Sequence, residues 1–289
     1  MTEGKPAERI LRTSRRTLDL GAGPLLMAII NVTPDSFSDG GEYLELDSAI
    51  AAAEKALEEG ADILDIGGES TRPGSSRVPE DEELARVIPL VEDLAKRFDA
   101  AISVDTSKRA VAERALEAGA EIINDISGLR FDPALAEAVA GSGAGIVLMH
   151  SRGTFEEIHL LEPVEDIRSE VVGGLEESIG IALAAGIDRQ RICLDVGIGF
   201  GKSFEQNLEL IKGLSEITEQ LEGLPMLIGV SRKSFVGRIL GDAPVSKRLH
   251  GTLAANAVAL MNGADILRVH DVKAHRDLID VVNAIGVSQ

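Results

Sequence analysis

The sequence predicts an α/β fold, a single (β/α)8 TIM barrel with a short N-terminal strand extension. Eight short apolar runs rich in β-branched residues alternate with stretches of helical spacing rich in Ala, Leu and Glu, which is the βαβ signature. The runs are apolar along their whole length, as expected for strands covered on both faces. The chain has 289 residues, close to the roughly 250 typical of one such barrel.

The predicted strands follow the eight apolar runs, and helices are predicted between them. One helix is expected to begin at a capping residue, Asp47, and to stop at Gly60, and another to run from Ser107 to Gly119. A Gly-Ala-acidic phrase precedes the next strand at residues 60–62, 119–121 and 263–265. The predicted strands are residues 25–31, 63–69, 101–106, 122–127, 145–150, 192–196, 226–231 and 266–271.

The domain organisation is predicted to be simple. Residues 1–20 are expected to form an N-terminal extension with a short hairpin, and residues 21–289 the barrel. The segment "KPAERILRTSRR" is basic, but acidic residues accompany it and no apolar stretch follows, so we do not expect a cleaved targeting signal.

Composition limits the possible partners. Acidic residues exceed basic ones and give a net charge of −19, so we expect no nucleic-acid surface, and an anionic substrate must meet local cations. No window approaches the roughly 18 uncharged apolar residues of a membrane span. Cys193 is the single cysteine, which suits a reducing compartment. We therefore expect a soluble, cytoplasmic protein without membrane contact.

Hydrogen-bonding residues stand at the end of every predicted strand. In this architecture all C-terminal strand ends face one mouth, where active sites are built. Each polar residue alone could instead cap the next helix. For His150 a hydrogen-bonded core histidine is favoured over a ligand role. His159 and His275 are expected on helix surfaces. The strand ends read Asn31, "DIGGESTRPG", "SVDTS", Asn124-Asp125, "LMHSRG", "DVGIGFGK", "SRKS" and "RVHD".

The residue types at this mouth favour a heterocycle and an anionic leaving group. Asp105, Asp195 and the amide of Asn124 suit a flat heterocycle that carries several N–H donors. Four residues are interpreted as cations for a phosphate or diphosphate: Arg72, Lys233, Arg268 and His270. The segment "GIGFGKS" is not a P-loop, because Val196 stands where its first Gly belongs. No zinc-protease, nucleophile-elbow or paired-Cys motif occurs.

Several motifs together carry a resemblance to a known family. "INVTPDSFSDGG", "DIGGESTRPG", "SVDT", "IINDISG", "LMH", "GFGK", "SRKSFVGR", "GTLAANA" and "RVHDV" make the chain similar to the dihydropteroate synthases, from about residue 16 to the end. The resemblance implies a pterin-binding barrel. It also implies a transferase that joins 6-hydroxymethyl-7,8-dihydropterin diphosphate to para-aminobenzoate and releases diphosphate in folate biosynthesis.

The resemblance also assigns roles to individual residues. The pterin would be bound by Asp105, Asn124, Met149, Asp195, Phe200 and Lys233. The diphosphate would be bound by Asn31, Thr71, Arg268 and His270, with Mg²⁺ on Asn31. Para-aminobenzoate would be bound by Phe37, Thr71, Arg72, Pro73, Lys233 and Ser234. The catalytic residues would be Asp105, Lys233, Arg268 and His270.

Some alternatives stay open at this point. The chain departs from the family at Val196, where Pro is usual after the aspartate, and at Ser151, where Met is common. A pterin-dependent methyltransferase or a non-catalytic pterin-binding homologue would share the pocket. The loop at residues 31–41 is interpreted as a lid, and Asp35 or Asp39 could assist the metal. A homodimer through "HGTLAANAVALMNGAD" is expected, although this stripe could instead pack on the barrel.

Overall fold

A closed barrel of eight parallel strands forms the centre of the protein. The computed structural model describes residues 9–32, 42–72 and 74–286, with only the backbone for residues 42–45. A two-stranded antiparallel hairpin, β1 (Ile10–Arg12) and β2 (Thr17–Asp19), precedes the barrel. The barrel strands are β3 (Leu25–Asn31), β4 (Ile63–Gly67), β5 (Ala101–Asp105), β6 (Ile122–Asp125), β7 (Gly145–Met149), β8 (Ile192–Asp195), β9 (Met226–Ile228) and β10 (Ile266–Val269).

Helices follow each barrel strand and surround the barrel. They are α1 (Glu42–Glu58), α2 (Glu80–Arg97), α3 (Arg109–Ala118), α4 (Leu135–Ser142), α5 (Ile167–Ala184), α6 (Phe204–Lys212), α7 (Leu214–Gln220), α8 (Ser234–Ile239), α9 (Leu249–Met261) and α10 (Val272–Ile285). Short 3₁₀ helices stand at Arg189–Arg191 and Val245–Lys247. The prediction of a (β/α)8 barrel with an N-terminal strand extension is confirmed. In the part of the chain that the structure describes, no helix is long and apolar enough to span a membrane.

All eight barrel strands begin where the sequence predicted, but seven of them end one to three residues earlier. The polar residues at these ends lie beyond the last backbone hydrogen bonds between neighbouring strands. In the last strand pair, for example, the His270 backbone N–H donates to the Ser231 side-chain Oγ at 3.3 Å. The predicted strand ends therefore belong to the mouth of the barrel.

The lower half of the barrel interior is apolar. Because side chains alternate along a strand, every second residue points inward. The hairpin closes this end, since Leu11 and Leu20 are fully buried against the inward-facing cluster. That cluster consists of Met27, Ile63, Ala101, Ile122, Val147, Cys193, Leu227 and Ile266.

The Gly-Ala-acidic phrases place a carboxylate at the lower end of three strands. Asp62 accepts the Leu26 backbone N–H at 2.7 Å, and Asp265 accepts the Met226 N–H at 2.7 Å. The third acidic residue, Glu121, binds Arg16 of the hairpin at 2.8 Å. Each carboxylate therefore ties its strand to a neighbouring element.

One predicted helix start is wrong. Helix α1 begins at Glu42, so Asp47 lies inside it instead of capping it. Asp47 is exposed, and an acidic side chain near a helix N-terminus interacts favourably with the helix dipole. The other predicted helix ends as expected, because α3 stops at Ala118 with Gly119 as its C-cap.

Candidate active site

A polar layer lies above the apolar one, at the C-terminal ends of the strands. Its residues alternate with outward-facing residues that pack under the helices, such as Ile66, Val104 and Val269. Because the strands are parallel, all of these ends open at the same mouth. The inward-facing residues are Asn31, Asp65, Asp105, Asn124, Met149, Asp195, Ser231, Arg268 and His270.

Arg268 joins three strands at the centre of this layer. Its Nε donates to Asp65 Oδ2 at 2.6 Å and its Nη2 donates to Asp105 Oδ2 at 2.7 Å. The Asn124 side-chain amide donates to the same Asp65 oxygen at 3.1 Å. One guanidinium therefore faces two carboxylates, and the network keeps an excess negative charge.

This arrangement sets the ionisation of Asp105. Burial raises its pKa to about 7, and the nearby Asp65 carboxylate adds to the rise while Arg268 opposes it. Asp65 is itself fully buried, and its Oδ1 has no hydrogen-bond partner among the described residues. A buried carboxylate with a free acceptor oxygen favours a ligand that brings its own N–H donors.

A second acceptor site is formed by the end of β8. Asp195 is buried, and its Oδ1 accepts the Gly197 backbone N–H at 2.7 Å. Lys233 donates to the Ile198 carbonyl oxygen, and its Nζ lies 4.5 Å from the centre of the Phe200 ring. Burial lowers the pKa of Lys233 to about 8, although Asp195 opposes that change. An acceptor, a cation and an aromatic ring thus stand side by side.

The glycines of "GIGFGK" allow close packing and do not form a phosphate loop. Gly197 has φ +69°, and a Cβ there would lie 2.0 Å from the His150 carbonyl oxygen. Gly201 has φ +61°, and a Cβ there would lie 2.4 Å from the carbonyl oxygen of Ile158. Both positions require glycine for conformation and for space, which agrees with the failure of the P-loop pattern.

His270 follows β10, two strands from β8 in the barrel, and its lowered pKa favours the neutral imidazole. Its Nδ1 is 2.9 Å from Ser231 Oγ. Burial lowers the pKa of His270 to about 4, and the positive charges of Arg232, Arg268 and Arg72 lower it further. The interpretation of His270 as a standing cation is therefore wrong at neutral pH. Its imidazole is available as a hydrogen-bonding group for a phosphate oxygen.

Asn31 offers one neutral oxygen beside Asp105. A Cβ at Gly67 would lie 3.6 Å from Asn31 Oδ1 and 3.8 Å from Asp105 Cβ, so the two side chains converge over this glycine. Within the described ranges, no group of three or more His, Cys, Asp or Glu side chains could hold a metal ion. This donor set fits Mg²⁺ that is held mainly by water and substrate phosphates, with Asn31 as a single protein ligand.

The residues expected at the amine site lie on two loops. Thr71 is half-buried and Arg72 is exposed, and both follow β4. Ser234 is exposed at the first position of α8. Two further residues assigned to this site, Phe37 and Pro73, lie outside the described residues, as do Asp35 and Asp39.

Sequence reasoning missed a buried cluster under the β4–α2 loop. Lys108 donates to Glu69 at 3.0 Å, to the Val78 carbonyl oxygen at 2.7 Å and to Glu83. Burial raises the pKa of Glu83, while Lys108 opposes the rise. The cluster fixes both ends of the loop that carries Thr71. Glu69 lies within the motif "DIGGESTRPG" and Lys108 directly follows "SVDTS", but their pairing depends on a contact between separate loops.

The remaining histidines differ from expectation. His150 is buried, as predicted for a core histidine, although its Nδ1 has no partner in the described part of the chain. His275 is fully buried on α10, so its prediction as a surface residue is wrong. His159 lies in a turn and not on a helix, and its Nε2 is 2.9 Å from the Thr71 carbonyl oxygen. This contact joins two loops that are far apart in the chain, so no local sequence pattern indicates it.

A parallel barrel with an acceptor-rich, charged mouth defines an enzyme that binds its substrates at the C-terminal ends of the strands. The family model of the pterin binding enzymes matches residues 27–270. The chain belongs to this family. The predicted resemblance is thereby confirmed.

Named relatives support the same family. The chain is 44% identical to the dihydropteroate synthase of Bacillus subtilis over 277 residues, covering 96% of this chain and 94% of the relative. A structure of the Xanthomonas albilineans dihydropteroate synthase with 4-aminobenzoic acid has a TM-score of 0.90 and 42% identity, covering 98% of this chain and 100% of that one. Another, of the same enzyme in complex with 7,8-dihydropteroate, has a TM-score of 0.86 and 41% identity over 96% of this chain and 100% of that one.

Proposed function

We propose that this chain is a transferase with dihydropteroate synthase activity. It condenses 6-hydroxymethyl-7,8-dihydropterin diphosphate with para-aminobenzoate and gives 7,8-dihydropteroate and diphosphate. The observation that carries this proposal is one buried network, in which Arg268 donates to Asp65 and Asp105 and Asn124 donates to Asp65. Such a layer recognises a flat heterocycle through its N–H groups and places a guanidinium beside it.

The pterin is assigned to the deep part of the mouth. The carboxylates of Asp105 and Asp195 accept from ring N–H groups, and Asn124 supplies both a donor and an acceptor. Lys233 and Phe200 lie beside Asp195, with the cation 4.5 Å from the ring centre. Met149 is buried on the neighbouring strand and adds an apolar contact.

The diphosphate is assigned to the upper rim. Arg268, His270 and Thr71 donate to its oxygens, and Asn31 would hold Mg²⁺. When bound, Mg²⁺ neutralises charge that develops on the departing diphosphate. An aromatic amine is uncharged at neutral pH and needs little base assistance. The protein therefore acts mainly on the leaving group and on the electrophile.

The C–O bond of the pterin substrate breaks ahead of attack by the amine. The bonding electron pair leaves with the diphosphate, and positive charge spreads into the pterin ring. The Asp105 carboxylate lies in the same layer as the ring and stabilises this charge. The amine nitrogen then bonds to the methylene carbon and loses a proton. Asp105, Lys233, Arg268 and His270 are the catalytic residues of this scheme.

The amine site is assigned to Phe37, Thr71, Arg72, Pro73, Lys233 and Ser234. Arg72 carries the positive charge suited to the carboxylate of para-aminobenzoate. Its charge reaches the mouth of the barrel, because it contributes to the lowered pKa of His270. The loop at residues 31–41 is proposed as a lid over the site.

A diphosphate-release assay with both substrates tests the function. Release that depends on para-aminobenzoate supports the transferase and excludes both rivals, a pterin-dependent methyltransferase and a non-catalytic pterin-binding homologue. Binding of 6-hydroxymethylpterin without such release would instead favour the non-catalytic homologue.

A homodimer in a reducing, cytoplasmic compartment is proposed for the intact protein. Helix α9 buries Thr252, Asn256 and Leu260 but exposes Val258 and Met261. One face of the stripe thus packs on the barrel while the other stays exposed. Cys193 is fully buried, and its pKa is raised well above the usual value by burial, so its thiol needs no oxidising environment.

A further inference from the structure

One side chain in the loop at residues 150–166 contacts two opposite walls of the mouth. The His159 ring stacks on Phe200, with centroids 5.7 Å apart and planes inclined by 26°. Its Nε2 lies 2.9 Å from the carbonyl oxygen of Thr71. Phe200 follows β8 and Thr71 follows β4, and these two strands are four positions apart in a ring of eight. His159 therefore bridges opposite sides of the barrel mouth.

The contact with Thr71 fixes the tautomer of His159. A carbonyl oxygen only accepts hydrogen bonds, so Nε2 must carry the hydrogen. His159 Nε2–H therefore donates to the Thr71 carbonyl oxygen, and the same ring stacks on Phe200.

The loop that carries His159 is held on both sides. The Ile158 carbonyl oxygen packs so closely on Gly201 that a Cβ there would lie 2.4 Å away. On the other side, the Arg77 guanidinium lies 5.6 Å from the centre of the Phe155 ring. These contacts pin the loop to the segments that contain Phe200 and Thr71. The His159 imidazole therefore lies between the Phe200 segment and the Thr71 segment, and its own loop contacts both.

We propose that His159 is a positioning residue that couples the pterin and para-aminobenzoate subsites. A heterocycle seated against Phe200 restrains the stacked pair. The restrained imidazole then holds the Thr71 carbonyl, and with it the turn of Arg72, in the conformation that binds the amine substrate. This inference rests on the proposed function, because it uses the two substrates of that reaction.

Such coupling is reciprocal. If the pterin tightens para-aminobenzoate binding by some factor, para-aminobenzoate tightens pterin binding by the same factor. The link passes through one hydrogen bond, so the expected coupling factor is about fivefold.

Calorimetry measures this factor directly. Binding of 4-aminobenzoate is titrated with and without saturating 6-hydroxymethylpterin, at constant inorganic diphosphate and Mg²⁺. In the unsubstituted protein we expect the pterin to tighten 4-aminobenzoate by about fivefold. No coupling in this protein would overturn the proposal.

Two substitutions separate the contacts of His159. His159→Phe keeps a ring for stacking and loses the donor, whereas His159→Gln keeps a donor near the position of Nε2 and loses the ring. Both should abolish the coupling, because the coupling needs both contacts. Only His159→Gln should weaken the binding of pterin alone, because it loses the ring. Only His159→Phe should weaken the binding of 4-aminobenzoate alone, because it loses the donor to Thr71. A general structural defect would instead weaken both ligands in both variants.

The neighbouring residue supplies a matched control. Leu160 is 78% exposed, and Leu160→Gln should keep the full coupling factor. Full coupling in either His159 variant would overturn the proposal, as would its loss in Leu160→Gln. Failure of the proposed function is a separate result, since it would appear as no diphosphate release from the unsubstituted protein with both substrates present.

Discussion

Asp105 shows how a single residue connects ionisation to chemistry. It shares Arg268 with Asp65 in a buried layer, so the network has one positive and two potential negative charges. The excess carboxylate charge is costly in the free protein, as the raised pKa of Asp105 indicates. That charge becomes favourable when positive charge develops on a bound pterin. The cost in the free state and the gain in the transition state have the same electrostatic origin.

Replacing the charge of Asp105 should therefore affect turnover more than binding. We predict that Asp105→Asn lowers kcat by about 10²- to 10³-fold and changes the Kd of 6-hydroxymethylpterin much less, because the amide oxygen still accepts a hydrogen bond. Steady-state kinetics and calorimetry measure the two effects. A rise in KM for the pterin substrate with unchanged kcat would show that Asp105 only binds.

The pH dependence of kcat/KM should follow two residues. Asp105 has a raised pKa of about 7, so the anion forms as pH rises and activity should be lost below pH 7. Lys233 has a lowered pKa of about 8, so its cation is lost as pH rises and activity should fall above pH 8. A bell-shaped profile is expected. In Asp105→Asn the fall of kcat/KM below pH 7 should disappear. If that fall is unchanged in the variant, it belongs to the titration of another group.

At the same scale, sequence reasoning found some site residues and missed others for physical reasons. Asp105, Asn124 and Asp195 were predictable because they end apolar runs at one end of a barrel. Asp65 opens the motif "DIGGESTRPG" but was assigned no role, because it lies inside the run "ILDIG", although a charged residue at an inward-facing position was a usable signal. His159 could not be predicted, because its role depends on contacts between three loops.

At the scale of elements, strand starts were predictable and strand ends were not. Each strand starts where a buried apolar run begins, and burial alone decides that position. The ends depend on whether a polar residue stays in the ladder or turns to the mouth, as Ser231 and His270 do. The start of α1 was missed for a related reason, since an exposed Asp47 is compatible with both a cap and a helical position.

The Lys108 cluster holds elements together and should be sensitive to substitution. Lys108 joins the end of β4, the start of α2 and the start of α3 through Glu69 and Glu83. Lys108→Met should lower the free energy of unfolding by about 3–5 kcal/mol, because it leaves Glu83 buried without its partner. It should also raise KM for para-aminobenzoate by freeing Val78. Urea denaturation and steady-state kinetics measure these effects.

A double substitution tests whether the unpaired charge is the cause. Lys108→Met combined with Glu83→Gln should recover part of the lost stability. Lys273→Met serves as the control, since Lys273 pairs with Asp277 on the exposed face of α10 and should leave stability nearly unchanged. Equal losses in Lys108→Met and Lys273→Met would contradict the assignment.

At the scale of the whole molecule, apolar exposure is uneven. In the ranges that the structure describes, seven of the ten exposed large apolar side chains lie on or between α8, α9 and α10. They are Ile239, Leu240, Val245, Val258, Met261, Val281 and Ile285. The chain is otherwise strongly acidic, with a net charge of −19. An exposed apolar face of this kind on an acidic protein favours contact with a second copy over contact with nucleic acid.

Substitutions on this face should produce monomers. In a twofold-symmetric dimer each residue occurs on both sides of the interface, so Met261→Glu introduces two carboxylates into one apolar contact. We predict that the unsubstituted protein sediments at twice the 30.6 kDa of one chain and that Met261→Glu sediments as a monomer. Leu183→Glu is the control, because Leu183 is also exposed but lies on α5, away from this face. Sedimentation velocity at several concentrations measures the oligomeric state. A monomeric unsubstituted protein would show that there is no dimer, and a dimeric Met261→Glu variant would show that the interface lies elsewhere.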